Sequence, residues 1–256
     1  MILAIDIGNT NIVIGCIKND KILFVERLST DHTKTVLEYA ISFKNVLELY
    51  HLKSEDIHGT IISSVVPPVT SSIQEAVEKI TQNHILTIGP GVKTGLNILM
   101  DNPAQLGSDL VANAVAAINE YTAPLIVFDL GTATTISVID EKKNYIGGII
   151  LPGIRVSSDS LTSQTAQLPR ISFDAPKKII GKNTIECMKS GVIYGNAAVM
   201  DGMIQRIEKE LGQTATVLAT GGLAEKIVPF CSEEIMLDNG LLLKGLNYIY
   251  KKNMGN

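Results

Sequence analysis

The sequence predicts an α/β protein made of two similar halves, each a mixed sheet flanked by helices. Two observations carry that prediction. An apolar run reaches an Asp, passes x-Gly and a few small polar residues and resumes as a second apolar run, first in MILAIDIGNTNIVIGCI and again in LIVFDLGTATTISVID. Behind each copy, strand-like and helix-like periodicities follow in matching order, the alternation expected of an α/β chain.

In the first half, ILAID, IVIGCI and KILFVERLS are strand-like and joined by turn signals at Gly8-Asn9 and Asn19-Asp20, which predicts an antiparallel meander. An amphipathic helix is expected over 35–50. GTIISSVVPP is a continuous apolar strand ended by Pro67-Pro68, of the kind buried in a parallel sheet, with a helix over 69–82 and a short strand HILTIG behind it. GPGVKTG at 89–95 has the composition of a loop, and SDLVANAVAAINEY carries apolar residues at three- and four-residue steps, the mark of a half-buried helix. The second half restarts at APLIVFDLGTATTISVID and YIGGIIL, passes a helical stretch over 183–211, and reaches ATVLATGG and another helix. This places a boundary at 121–124, with one lobe over 1–121 and the other over 122–256. The last helix, near 241–250, is expected to pack back across it.

Composition excludes several classes. A chain of 256 residues that is 45% hydrophobic has enough apolar mass for one large core or two medium ones. The net charge of −4 comes from interspersed acids and bases with no basic run, so neither nucleic acid nor an anionic membrane is expected as a partner. The first apolar run is cut by Asp6 and lacks a basic flank, which argues against a signal peptide or spanning helix and for a cytoplasmic protein. Cys16, Cys187 and Cys231 are odd in number and widely spaced, and are expected as buried thiols without chemistry. His32, His51, His58 and His84 are scattered without a nucleophile motif and are expected at the surface or in packing.

The repeated turn has a physical use. A tight strand–turn–strand rich in Gly leaves backbone N–H groups facing a concavity that can bind phosphate oxygens, and two such turns can clamp a polyphosphate. Each also carries a carboxylate at the end of its first strand, Asp6 or Asp129, suited to a cation beside the phosphates. A single such Asp is as well explained by bonds to its own hairpin; two copies in lobes of matching order favour the clamp. A third Gly-rich turn, Thr220-Gly221-Gly222, lies between an apolar strand and a helix, where a ring or ribose can approach the backbone. No GxxxxGK[ST] or GxGxxG string occurs.

Together these turns resemble the actin-like ATPase and sugar-kinase superfamily, which implies a duplicated ribonuclease-H-like fold with a mixed five-stranded sheet in each lobe. Within it the chain is similar to the type III pantothenate kinases, through DIGNTN at 6–11, SSVVPP at 63–68, GPGVKTG at 89–95, DNPAQLGSD at 101–109, DLGTATT at 129–135, GGIILPG at 147–153, TAQLP at 165–169, GKNT at 181–184, SGVIYG at 190–195, ATGGLA at 219–224 and LKGL at 243–246. The resemblance implies ATP-dependent phosphorylation of pantothenate at the start of coenzyme A synthesis. It also implies Mg2+ or another divalent cation, K+ or NH4+, and a homodimer whose pantothenate pocket is partly built by the partner subunit.

Carried over residue by residue, the resemblance makes Asp6, Ile7, Gly8, Asn9, Thr10, Asn11, Ile12 and Val13 the first ATP turn, with Asp6 near the divalent cation. Thr132 contacts ATP from the second turn, Gly221 and Gly222 form the adenosine turn, and Asp129 holds the monovalent cation. Asp109 is the general base for the pantothenate hydroxyl, with Met100, Gly107, Ser108, Leu110 and Thr184 around the acceptor; as a bare residue, Asp109 is equally suited to cap a helix. The family usually reads Gly-Ala-Asp-Arg where this chain has GSDL, so Leu110 replaces an Arg associated with pantothenate, and Met100 stands where relatives commonly have a Tyr. Ser137 stands where many have an Asp. Lys93, Arg155 and Arg170 are candidate compensating cations, and Thr165 is placed to approach substrate or to cap a turn. These departures leave two other readings: a catalytically weak nucleotide-binding protein with an accessory role, and a kinase for another small hydroxy acid.

Overall fold

The computed structural model describes residues 1–255 and divides into two compact units. The first comprises Met1–Leu96, Asp101–Asn119 and the chain from Gly240 on; the second comprises Asn97–Met100 and Glu120–Asn239.

The first unit opens with β1 (Ile2–Ile7), β2 (Asn11–Lys18) and β3 (Lys21–Ser29), antiparallel neighbours as the turn signals predict. Asn19 and Asp20 both have positive φ, 50° and 64°, as a two-residue hairpin turn matched to strand twist requires. Helix α1 (Val36–Leu49) starts at a capping box: Thr35 Oγ1 accepts from the Glu38 amide while Glu38 accepts from the Thr35 amide. Its face of Tyr39, Ala40, Phe43, Val46 and Leu47 is buried against the sheet. β4 (Gly59–Ser64) pairs parallel with β1, and α2 (Pro67–Thr81) leads to β5 (Ile85–Thr87). The strand ends at Ser64, before Pro67 and Pro68, which open α2 two residues earlier than expected because the first helical positions need no N–H partner. The sheet order is β3-β2-β1-β4-β5.

The chain then contributes β6 (Asn97–Ile98) to the second unit and returns to the first as α3 (Ser108–Glu120). In the second unit, β7 (Leu125–Leu130), β8 (Ala133–Ile139) and β9 (Asn144–Pro152) repeat the meander. Helices α4 (Ile154–Ser163) and α5 (Thr184–Leu211) precede β10 (Thr216–Thr220), α6 (Ala224–Ile227) and β11 (Met236–Leu237). α5 is bounded as the sequence implies, by Asn183 accepting from the Glu186 amide and by Gly212 at φ 71°. Helix α7 (Leu241–Met254) ends the fold in the first unit, with Gly245 against α3 so closely that a Cβ there would overlap the Ala112 carbonyl.

The second sheet, β11-β10-β7-β8-β9-β6, has the order of the first one duplication later. It has six strands instead of the expected five, because Asn97 and Ile98 pair parallel with Asn144 and Tyr145 at the outer edge of β9. Each unit has its own apolar core, one around Ile5, Ile62 and Phe43 and the other around Phe128, Ile193 and Met200. Among the described residues no helix is long and apolar enough to cross a membrane.

Candidate active site

In the first turn, Ile7 and Ile12 are the last paired residues of β1 and β2, and the chain between them is closed by the Gly8 amide donating to the Asn11 carbonyl at 3.0 Å. Thr30, just past β3, braces it: its hydroxyl donates to the Gly8 carbonyl at 2.6 Å and its amide to the Thr10 carbonyl at 3.0 Å. Asn9, Thr10 and Asn11 are exposed, Gly8 and Val13 are half-buried, and Ile7 and Ile12 are fully buried. The two isoleucines therefore anchor the turn in the core, and only their backbone can serve a ligand. Asp6 is 7% exposed and pairs across the parallel ladder with Ser63, whose hydroxyl donates to Asp6 Oδ1 at 2.7 Å.

The GSDL string forms the junction into α3. Ser108 Oγ lies 2.9 Å from Ser63 Oγ, accepts from the Ser64 amide at 3.0 Å and reaches the Ser64 carbonyl at 3.1 Å. Asp109 is half-buried, and the Leu110 amide donates to its Oδ1 at 2.9 Å. Burial pushes the Asp109 carboxyl above its ordinary value, opposed by the amides of Leu110 and of Asp109 itself. Gly107 leaves the space this carboxylate occupies, since a Cβ there would overlap Asp109 Oδ1. The side chain is thus a first-turn acid held by the amide of the next residue in its own helix.

In the second unit the last pair around the turn is Leu130 and Thr134, one residue tighter than the first. The Gly131 amide donates to the Ala133 carbonyl and the Gly153 amide to the Thr132 carbonyl, both at 3.1 Å, so the end of β9 folds onto the turn; Thr132 is exposed. Asp129 is half-buried and pairs with Thr220 as Asp6 pairs with Ser63. Gly221, at φ 97°, is pressed against this strand end: a Cβ would lie 2.6 Å from the Leu130 amide nitrogen and 2.7 Å from Asp129 Oδ1. The turn at Gly131 and Thr132, Asp129 and the Gly221-Gly222 turn therefore meet within one unit.

The other sequence candidates separate. Met100 follows β6 in the second unit and Leu110 lies on α3 in the first, so these two departures fall on different units. Thr184 is exposed at the first position of α5, and Ser137 is buried with its hydroxyl 3.1 Å from Tyr145 Oη. The Arg155 guanidinium stacks 5.1 Å over Phe173, and Asn253 holds the backbone of Lys93 in both directions. Thr165 caps the end of α4 by donating to the Leu161 carbonyl at 2.8 Å. Cys187 is exposed at the surface of α5, against the expectation of three buried thiols; Cys16 is buried and Cys231 half-buried. Sequence reasoning read Ser63 only within the SSVVPP string and Gly153 only within GGIILPG, and gave no role to Thr30. The one signal for Ser63 was a hydroxyl residue at or next to the end of each central parallel strand, Ser63 in β4 and Thr220 in β10.

The chain matches the family model for type III pantothenate kinase over residues 2–206. The chain belongs to that family. Relatives named type III pantothenate kinase include one from Exiguobacterium sp., 46% identical over 253 residues and 99% of each chain, and one from Halalkalibacterium halodurans, 46% identical over 255 residues, 99% of this chain and all of the relative. Among solved structures, a Campylobacter jejuni protein described as a Baf family transcriptional activator aligns at TM-score 0.60 and 20% identity over 99% of this chain and 100% of its own. Component A of (R)-2-hydroxyglutaryl-CoA dehydratase from Acidaminococcus fermentans aligns at 0.59 and 16% identity over 99% and 98%. At such identities these structures speak for the fold, the duplicated actin-like arrangement. In a kinase of this family the cation test is a modest one. Among the described residues no three His, Cys, Asp or Glu side chains cluster to cage a metal. A Mg2+ ion carried on nucleotide phosphates keeps several waters and needs only one or two carboxylates, and the buried, hydrogen-bonded Asp6 fits that need.

Proposed function

We propose that the chain transfers the γ-phosphoryl group of ATP to the hydroxyl of pantothenate, giving ADP and 4′-phosphopantothenate, the first step of coenzyme A synthesis. The observation that carries this reading is Asp109: a carboxylate fixed at the start of α3, raised in basicity by burial, in a chain of the pantothenate kinase family. Phosphoryl transfer asks for in-line positioning and charge neutralisation more than for covalent chemistry. In this reading Asp109 orients the acceptor hydroxyl and takes its proton as the new P–O bond forms. The Gly8–Asn11 turn and Thr132 bind the phosphates, and Gly221 and Gly222 take the adenosine. Asp6 would hold a divalent cation, Mg2+ by chemistry, which would supply charge neutralisation to the phosphates, and Asp129 would hold K+ or NH4+. Met100, Gly107, Ser108, Leu110 and Thr184 are assigned to pantothenate binding in this reading. Exposed Ile150, Ile179 and Ile180 in the second unit, at 75%, 61% and 78%, support a homodimer, which sedimentation would register as twice the chain mass. A cytoplasmic setting suits such a metabolic kinase.

The test is ADP release in a coupled assay with ATP, Mg2+ and K+, with and without pantothenate. Pantothenate-dependent turnover that Asp109→Asn abolishes supports the reading. Measurable ATP binding with no turnover at millimolar pantothenate sinks it.

A further inference from the structure

The hydrogen-bond bookkeeping around Ser63 is closed and runs one way. Ser63 has one hydroxyl hydrogen, given to Asp6 Oδ1 at 2.7 Å, so toward Ser108 it accepts. Ser108 in turn has one hydrogen to share between Ser63 Oγ at 2.9 Å and the Ser64 carbonyl at 3.1 Å, and it accepts from the Ser64 amide at 3.0 Å. Ser63 is fully buried and Asp6 nearly so, so water does not compete freely for these bonds. The chain of contacts joins the end of β1, the end of β4 and the first residue of α3, all within the first unit. The second unit pairs Asp129 with Thr220 in the same register as Asp6 with Ser63.

We propose that Ser63 and Ser108 are positioning residues that tether the Asp6 carboxylate to the turn of α3 carrying Asp109. The inference rests on the reading of Asp6 as the cation-side carboxylate and Asp109 as the base. The tether runs through Ser108 of this chain's GSDL string. Its use is geometric: attack on the γ-phosphorus requires base and cation in a fixed relation, and slack of about 1 Å can cost up to about a hundredfold in rate.

The experiment compares Ser63→Ala, Ser108→Ala, the double variant, Ser63→Thr and Ser108→Thr in the full-length protein. Two quantities are read: kcat with separate KM values, and affinity for Mn2+ in the presence of ADP, followed by electron paramagnetic resonance of free Mn2+. Loss of one neutral hydrogen bond predicts a kcat lower by about three- to tenfold in Ser108→Ala, with the KM for ATP within about twofold. Ser63→Ala weakens Mn2+ binding by a similar factor, the double variant is no worse than Ser63→Ala alone, and the threonine variants, which keep the hydroxyl, recover within about twofold. Parental kcat in Ser108→Ala, additive losses in the double variant, or no recovery by threonine overturns the tether. If Ser63→Ala fails to fold, the half-buried Ser108 pair of variants decides alone. Asp6→Asn run alongside separates the two failures: parental Mn2+ affinity in that variant sinks the cation reading. If the parent shows no pantothenate turnover, the kinase reading falls and the tether is judged on Mn2+ affinity in Ser63→Ala against Ser63→Thr.

Discussion

Gly107→Ala tests the placement of the base. Gly107 is outside the positive-φ region, so an added methyl meets no backbone strain. The new Cβ would overlap Asp109 Oδ1 but would stand 3.5 Å from Val65 Cγ1, an ordinary contact, so the carboxylate is the group that must move. Turning it away abandons the charge-assisted bond from the Leu110 amide, now 2.9 Å, a loss of about 1.5–3 kcal/mol in the fixing of that side chain. A base displaced by about 1 Å from its acceptor predicts a kcat roughly a hundredfold lower. The turn proposed for ATP lies between β1 and β2, so the KM for ATP should stay within about twofold. Steady-state ADP release, with circular dichroism to confirm the fold, measures both. A folded Gly107→Ala protein with kcat within about threefold of the parent would refute the placement of Asp109 as the base.

Four further predictions concern Leu110, Asp109 and Gly245. Leu110→Arg sets a charge-assisted bond to the pantothenate carboxylate, about 1.5–3 kcal/mol, against about 0.3–1 kcal/mol for a cation in the first turn of α3, so the KM for pantothenate should fall about two- to a hundredfold; an unchanged KM means the guanidinium is not what this pocket lacks. Because burial raises the Asp109 carboxyl, the acid limb of kcat/KM should lie above the ordinary carboxylate value of about 4. The same sign governs stability: the folded state binds this proton more tightly than the unfolded chain, so stability is lost as pH rises from the unfolded pKa through the folded one. Thermal melts should therefore show Asp109→Asn gaining on the parent across that window and matching it at lower pH. Gly245→Ala would drive a Cβ into the Ala112 carbonyl, a backbone atom that cannot swing aside; overpacking of about 1–3 kcal/mol predicts a melting temperature lower by about 3–10 °C by calorimetry.

How much of this was legible depended on whether the cause was local. Asp-x-Gly between two apolar runs specifies a hairpin with an acid at its shoulder, and its recurrence at Asp129 exposed the duplicated sheet order. The ends of α1 and α5 were legible because Thr35, Glu38, Asn183 and Gly212 act on backbone groups within a turn of themselves. Helix α4 was not: IRVSSDSLTS buries only Ile154 and Ser158, too little apolar surface to print a period. β6 was hidden because two residues carry no alternation, and its pairing with β9 spans about fifty residues of chain. Ser63 stayed unread for the same reason, since the register that sets it beside Asp6 belongs to the β1–β4 ladder and not to any neighbouring residues. The different lengths of the two phosphate turns were likewise decided by strand pairing.

The central claim is tested most directly by the identity of the phosphorylated product. The protein is incubated with pantothenate, Mg2+, K+ and ATP labelled with 18O throughout its γ-phosphoryl group, and the products are weighed by mass spectrometry. The account predicts equimolar ADP and 4′-phosphopantothenate carrying three labelled oxygens, with the fourth, bridging oxygen supplied unlabelled by the pantothenate hydroxyl. Labelled inorganic phosphate in its place, or unconsumed ATP in a protein that binds nucleotide, would contradict it.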